Sequence, residues 1–363
     1  MKEKEPYGLF SDPAGRLHSR QLPTFHLGMN PHNRLRPARP DAAVLVAGGT
    51  GFIGSAALRA LTGDRPPRPG AVKALVRRVP EASSAVPGVE YVTGDVTDPA
   101  ALRGLCDGIH TVLHCVSYIG ADEATCQAVN VDGTRTLLAE AEHAGVHRTV
   151  LVSTTAVYGA GPHRDLTEHE HTPAPTSATS RTRLLAEQAV LAAGGTVLRA
   201  PLVYGTGDVW FVPALAELLQ RVPALPENGR ARLSLVAVDD LARLLATLAR
   251  ASEALPPGTV HHAAHPHTPT LREFVALLGD TLGLPVPQDG LTLDDYLTRL
   301  RQTPGRASAH QAGLLAEDRW YRSPLWSRLD CPPGPGHRIR LGESAAWYRD
   351  ALAPRTPAAS DST

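Results

Sequence analysis

Ala42-Ala43-Val44-Leu45-Val46-Ala47-Gly48-Gly49-Thr50-Gly51-Phe52-Ile53-Gly54 is a short apolar run that breaks into glycines, followed by a helical pattern carrying Ala56, Ala57, Leu58 and Leu61. A βα unit of this kind brings backbone N–H groups and a helix N-terminus against a pyrophosphate. The glycines are spaced G-x-x-G-x-x-G at Gly48, Gly51 and Gly54, not G-x-G-x-x-G. The first still allows a tight turn, the middle one lets backbone approach phosphate, and the last lets helix pack against strand. The strand before and the helix after give the motif the context it needs to indicate a dinucleotide site. A structural glycine turn in some other α/β protein is the alternative.

Outward from this stretch, strand-like segments at 42–47, 71–77, 89–92, 111–116, 149–154 and 195–200 alternate with helical patterns at 53–63, 98–106, 122–143 and 179–193. Such alternation predicts a Rossmann-type, doubly wound parallel sheet with helices on both faces. After Arg199-Ala200-Pro201 the chain turns to proline-rich loops, the composition of a smaller C-terminal substrate-binding domain. The expected division is an N-terminal arm at 1–40, a dinucleotide domain at 41–206 with 236–250 packing back onto it, and a substrate domain from 207–235 and 251–363. A helix is predicted over 239–250. Another, over 270–283, is opened by the capping-box pair Thr270 and Glu273. Residues 285–340 read as irregular and suggest a lid.

With 363 residues, 36 basic and 36 acidic, the chain is long enough for a large core and nothing in its charge argues for nucleic-acid or anionic-membrane partners. No apolar stretch approaches the ~20 residues that span a bilayer. The start of the chain lacks a signal-peptide apolar region. Cys106, Cys115, Cys126 and Cys331 show neither C-x-x-C spacing nor framework density, which suits reduced thiols and a cytoplasmic setting. Lysine occurs at Lys2, Lys4 and Lys73 alone.

Six segments, taken in order, carry a resemblance. Gly48–Gly54 is followed by Gly94-Asp95-Val96-Thr97-Asp98, Asn130-Val131-Asp132-Gly133-Thr134, Val152-Ser153-Thr154-Thr155-Ala156-Val157-Tyr158-Gly159, Leu198–Gly205 and Val236–Ala242. Over roughly 41–283 the chain resembles the extended short-chain dehydrogenase/reductase family of epimerases, dehydratases and ketone reductases. The resemblance implies that Gly48, Thr50, Gly51, Phe52, Ile53 and Gly54 hold the dinucleotide, that Asp95 and Val96 meet its adenine, and that His114, Cys115 and Val116 line the adjoining strand. It also implies that Pro201 to Val203 approach the nicotinamide. An acidic residue ending the second strand would favour NAD, but this chain has Arg77-Arg78, and a guanidinium suits a 2′-phosphate. NADP(H) is therefore the expected cofactor. The alternative leaves both arginines as solvated surface residues.

The departure is chemical. The family's Tyr-x-x-x-Lys pair, aligned through Ala186-Glu187-Gln188, falls on Thr179 and Arg183. An aliphatic hydroxyl does not ionise usefully near neutral pH, so Thr179 cannot act as the phenol does. Arg183 keeps a cation that could hold the ribose. Thr154 fills the family's Ser/Thr position and could hydrogen-bond a carbonyl oxygen, or merely satisfy backbone. Tyr118 and Tyr204 could each point a phenol into the cleft or simply wall it. His261-His262-Ala-Ala-His265-Pro-His267 invites a zinc reading, but no further ligand set is evident and no metal is expected. His163, His169 and His171 could border the substrate or stand in solvent.

Three functions follow. The first is NADPH-dependent reduction of a small aromatic ketone, whose phenol or quinone spreads the charge that the missing tyrosine would neutralise. The lysine-poor, Ala-, Arg- and Pro-rich composition resembles that of GC-rich bacteria that make aromatic polyketide antibiotics such as angucyclinones. The second is a non-catalytic NADP(H) sensor or scaffold. The third is a nucleotide-sugar epimerase or dehydratase. A homodimer through 122–143 and 179–193 is expected by analogy with the family.

Overall fold

The run after Ala43 forms strand β1 (Val44–Ala47), every residue of which is buried. Val44 and Val46 face one apolar core and Leu45 and Ala47 another, as the two-residue period of a strand covered on both faces requires. The computed structural model describes residues 42–63, 67–251 and 255–353. The expected arm at 1–40 lies outside them.

β1 sits inside a seven-stranded parallel sheet with β2 (Val72–Val76), β3 (Glu90–Thr93), β4 (Thr111–His114), β5 (Arg148–Thr154), β6 (Thr196–Ala200) and β7 (Thr259–His262), ordered β7-β6-β5-β4-β1-β2-β3. This is the doubly wound α/β fold. Chain order runs outward from β1 in one direction through β2 and β3, then in the other from β4. The crevice at the carboxyl ends of β1 and β4 is therefore the switch point where such sheets bind ligands.

Helix α1 (Phe52–Thr62) follows β1 directly. The pattern at 98–106 shortens to a single 3₁₀ turn, Pro99–Leu102, capped by the Asp98 carboxylate accepting from the Ala100 N–H. The 122–143 helix is not continuous. Glu123–Cys126 is α-helical, Gln127–Asp132 widens into a π-turn, and α2 (Gly133–His143) resumes the regular winding. Helix α3 (Ala178–Ala192) starts at a reciprocal cap formed by Ser177 and Ser180. Beyond it lie α4 (Val212–Arg221), α5 (Val238–Arg250) and α6 (Leu271–Leu282), the last opened by the Thr270–Glu273 capping box.

The segment read as irregular, 285–340, is instead built from elements. It contains α7 (Leu293–Arg301), α8 (Ala309–Ala316), the strand Arg319–Tyr321 and the turn Leu325–Arg328, and α9 (His337–Leu352) follows. Leu300, Ala312 and Leu315 join Tyr204, Phe211, Leu219 and Phe274 in a second apolar core. Leu325 and Trp326 pack instead with Val46, Leu241 and Leu244 beneath the sheet. Short, widely spaced apolar pairs gave no sustained period along the sequence, although tertiary packing buries them fully.

Candidate cofactor and substrate cleft

The glycine run is shaped by close approach. Gly48 has φ +87°, and a Cβ there would stand 3.1 Å from the Val116 nitrogen at the end of β4. A Cβ on Gly54 would run into the Gly48 carbonyl, so only glycine lets α1 start this close to the turn. The first helical bond runs from the Ser55 N–H to the Gly51 carbonyl at 2.9 Å. The amides of residues 52–54 therefore face out from the helix end, and no acidic side chain occupies the first turn. These features fit a pyrophosphate.

At the neighbouring strand ends, Asp95 accepts from the Thr97 N–H and hydroxyl at 2.9 and 2.8 Å. Those bonds hold its carboxyl below the usual range, with a smaller contribution from Arg77. Val96 is buried against Gly133. Arg77 and Arg78 follow β2 with both side chains exposed.

From Gly51, Phe52 and Ile53 a cleft of about 490 Å³ runs past Cys115 and Thr154 to Phe211 and Leu215 of the second apolar core. Its walls are mostly apolar and include Val152, Pro201, Val203, Trp210, Phe211, Leu215 and Leu314. Ser117, Ser153, Thr154, Arg183 and Gln311 are the polar side chains, and among the described residues no carboxylate lines it. Val116 borders a small recess beside the cleft, which Ser117, Ser153 and Arg183 also line.

Thr154 ends β5, and its hydroxyl oxygen accepts from the Ala156 N–H at 3.1 Å, leaving its proton free to donate. Arg183 points back from α3 beneath β5, where Nη2 donates to the Val152 carbonyl at 2.5 Å. Burial lowers its pKa to about 10, still well above neutrality. Burial, with help from Arg183, pushes His114 down to about 4, so its imidazole is neutral. The Cys115 thiol is pushed up to about 12 by burial and is inert as a nucleophile at neutral pH.

Several candidate side chains are not where the sequence reading put them. Tyr204 turns away from the cleft into the second core, 1% exposed, and donates to His337 Nδ1 at 2.9 Å. Burial raises its phenol pKa further, so it is not an acid for this cleft. Tyr118 lies half-buried outside the lining, and a Cβ at Gly120 would meet its hydroxyl at 2.6 Å. Its backbone is clamped by Asn130, which accepts from the Tyr118 N–H at 2.8 Å and donates to its carbonyl at 3.1 Å. Thr179 is tied to Gly120 in both directions, donating at 3.0 Å and accepting at 3.1 Å. His163 is buried in a strand paired with Arg319–Tyr321 and bonds the Tyr321 hydroxyl at 2.9 Å. Neither it nor His169 nor His171 lines the cleft.

The histidines of 261–267 serve as hydrogen-bonding groups. His262 Nε2 accepts from the Tyr158 hydroxyl at 2.7 Å while Nδ1 donates to the Arg322 carbonyl at 2.9 Å. His265 Nδ1 accepts from the His267 N–H at 3.0 Å.

Sequence reasoning missed the support beneath the cleft. Glu187 and Arg199 form a buried ion pair, with Nη2 to Oε2 at 2.6 Å, and Ser153 donates to Glu187 Oε1 at 2.5 Å. Arg199 also lies over the Tyr158 ring, 4.7 Å from its centre. The signal was an arginine inside the otherwise apolar strand β6, which demands a buried counter-charge.

Residues 44–263 match the family described as NAD dependent epimerase/dehydratase. The chain is 31% identical over 295 residues to the 2-alkyl-3-oxoalkanoate reductase of Stenotrophomonas maltophilia, covering 76% of this chain and 83% of that protein. It is 30% identical over 250 residues to the 4-hydroxy-2-methyl-3-oxo-4-farnesyl-3,4-dihydroquinoline-1-oxide ketoreductase of Stigmatella aurantiaca, covering 66% and 73%. The dTDP-glucose 4,6-dehydratase DesIV from Streptomyces venezuelae, solved with NAD bound, superposes with a TM-score of 0.65 over 85% of this chain and 97% of its own, at 24% identity. The chain therefore belongs to the NAD-dependent epimerase/dehydratase family, whose relatives of this sequence include ketone reductases.

Proposed function

We propose that the protein is an NADPH-dependent ketone reductase whose substrate is an apolar molecule with its ketone conjugated to a phenol or quinone, as in an aromatic polyketide. The observation that carries this reading is the cleft itself, with apolar walls closing on Thr154, Ser117 and Arg183 and no carboxylate in its lining among the described residues. A sugar nucleotide is polar along its length and would leave those walls unmatched. The relatives named for reducing a 3-oxoalkanoate and a farnesyl-quinoline ketone act on molecules of matching character.

Gly48, Gly51, Gly54 and the start of α1 would hold the dinucleotide, with Arg77 and Arg78 on a 2′-phosphate and Pro201 and Val203 beside the nicotinamide. The reduced nicotinamide, when bound, supplies a hydride to the carbonyl carbon. Thr154 orients the carbonyl through its free hydroxyl proton. Among the described residues no tyrosine lines the cleft. The charge that reaches the oxygen accordingly spreads into the conjugated ring, and solvent delivers the proton.

The test is NADPH oxidation by the purified full chain with phenolic polycyclic ketones set against simple ketones and aldehydes. Turnover confined to the conjugated ketones is expected, and equal rates with simple ketones would refute substrate assistance. The missing phenol and the tied Thr179 hydroxyl equally favour a second reading, a non-catalytic NADP(H) sensor. Tight NADPH binding with no carbonyl reduced would establish it.

A further inference from the structure

Among the described residues, the hydroxyl, amide and charged side chains that line the cleft come from one side, with a single exception. Ser117 follows β4, Ser153 and Thr154 end β5, and Arg183 projects from α3. The exception is Gln311, in the first turn of α8. The rest of the lining from α4 and α8 is apolar. Phe211, Ala214, Leu215 and Leu218 recur at helical spacing into and along α4, and Leu314 and Leu315 share a face of α8 with Gln311.

The Gln311 amide is oriented by the start of its own helix. Oε1 accepts from the Ser308 N–H at 2.8 Å and from the Ser308 hydroxyl at 3.2 Å, closing the capping box that opens α8. A backbone N–H can only donate, so the atom facing Ser308 is the amide oxygen and the NH2 group is turned the other way. Nε2 has no partner among the described residues and retains accessible surface. An amide held in this way offers donors and no acceptor. Donors set alone in an apolar wall call for an acceptor on the ligand, because a ligand without one strips water from the amide and puts nothing in its place.

We propose that Gln311 sets the substrate specificity of the cleft, its Nε2 donating to a second acceptor oxygen of the substrate, of the quinone carbonyl type, while Thr154 holds the carbonyl that is reduced. This rests on the reductase reading and narrows its substrate from conjugated ketones in general to those that carry a second carbonyl oxygen. A monoketone of the same size fills the apolar walls but leaves Nε2 unpaired. A site built to bond an oxygen discriminates against the analogue that lacks it.

The probes are 2,3-dimethyl-1,4-naphthoquinone, whose ring methyls hinder addition of thiols, and 2,3-dimethyl-1-tetralone, which has one carbonyl. Each is titrated by calorimetry into the full chain saturated with NADP⁺, which supplies no hydride. The wild type is expected to bind the quinone about tenfold more tightly, the effect of one neutral hydrogen bond. Gln311→Glu keeps an oxygen for the Ser308 N–H, so the cap survives, but it replaces the NH2 group by a second acceptor. It should weaken quinone binding by about tenfold or more and leave the tetralone and NADPH within about twofold, since neither meets Nε2. 4-Hydroxy-1-tetralone, whose hydroxyl donates to the new carboxylate, should bind Gln311→Glu no more weakly than it binds the wild type. Equal wild-type affinities for quinone and monoketone would overturn the proposal, as would a quinone preference that survives in Gln311→Glu. Equal losses for both probes would also overturn it and leave Gln311 as a helix cap alone. If Gln311→Glu does not fold, the same comparison in Gln311→Met decides. Loss of the quinone preference in the variant of a protein that reduces no ketone with NADPH would refute the reductase reading and leave the Gln311 subsite standing.

Discussion

Arg77 and Arg78 leave β2 into solvent and form no ion pair among the described residues, and Arg77 is near enough to Asp95 to be felt by its carboxyl. If they meet a 2′-phosphate, Arg77→Ala should cut the preference for NADPH over NADH at least tenfold, about 1.4 kcal/mol of differential binding. Fluorescence titration with both cofactors checks this, and an unchanged ratio would leave the pair as surface charge. At this scale the sequence was most readable where a residue type has one physical use. Glycines under tight backbone approach are of that kind, whereas the buried Arg199 carried an equally physical signal, its need for a counter-charge, that went unread. It was least readable for Tyr204, because the adjoining Val203 lines the cleft while the next side chain along the strand points the opposite way.

Among the elements, the loop that leads into α4 is held by one side chain. Asp208, fully buried, accepts from the N–H groups of Trp210, Phe211 and Val212 at 2.8 to 2.9 Å and from the Tyr348 hydroxyl at 2.9 Å. It thereby sets Trp210, half exposed, in the wall of the cleft. Asp208→Ala leaves four donors, three of them buried, without their acceptor and should lower stability by about 2–4 kcal/mol. Urea denaturation measures the loss, and a variant as stable as the wild type would show that the loop is held elsewhere. The six strands read from sequence all appear, with ends displaced by one or two residues, since a buried parallel strand is a continuous apolar run. The π-turn at 127–132 was hidden because its cause is tertiary. Asn130 turns inward to clamp the Tyr118 backbone and bond Thr182 at 3.0 Å, while Gly133 packs on Val96.

Across the molecule, His114, His163, His261 and His337 are buried, and burial pushes each down to about 4. An unfolded imidazole titrates near 6.5, so between those values the unfolded chain binds protons that the folded chain refuses. Their contribution to stability is complete above about pH 6.5 and declines as pH falls towards 4. The thermal midpoint should fall by several degrees between pH 7 and pH 5, and a flat profile would contradict it. The parallel sheet carries a different consequence. β7 is delivered to β6 only after the intervening chain has entered the second core through α4 and returned to the first through α5, and its His262 anchors Tyr158 behind β5. A chain cut between β6 and β7 would leave β6 as a bare edge with Val197 and Leu198 stripped of cover, an invitation to pair with other chains. A fragment ending at β6 is expected to associate with other chains when it is produced alone, which size-exclusion chromatography would show.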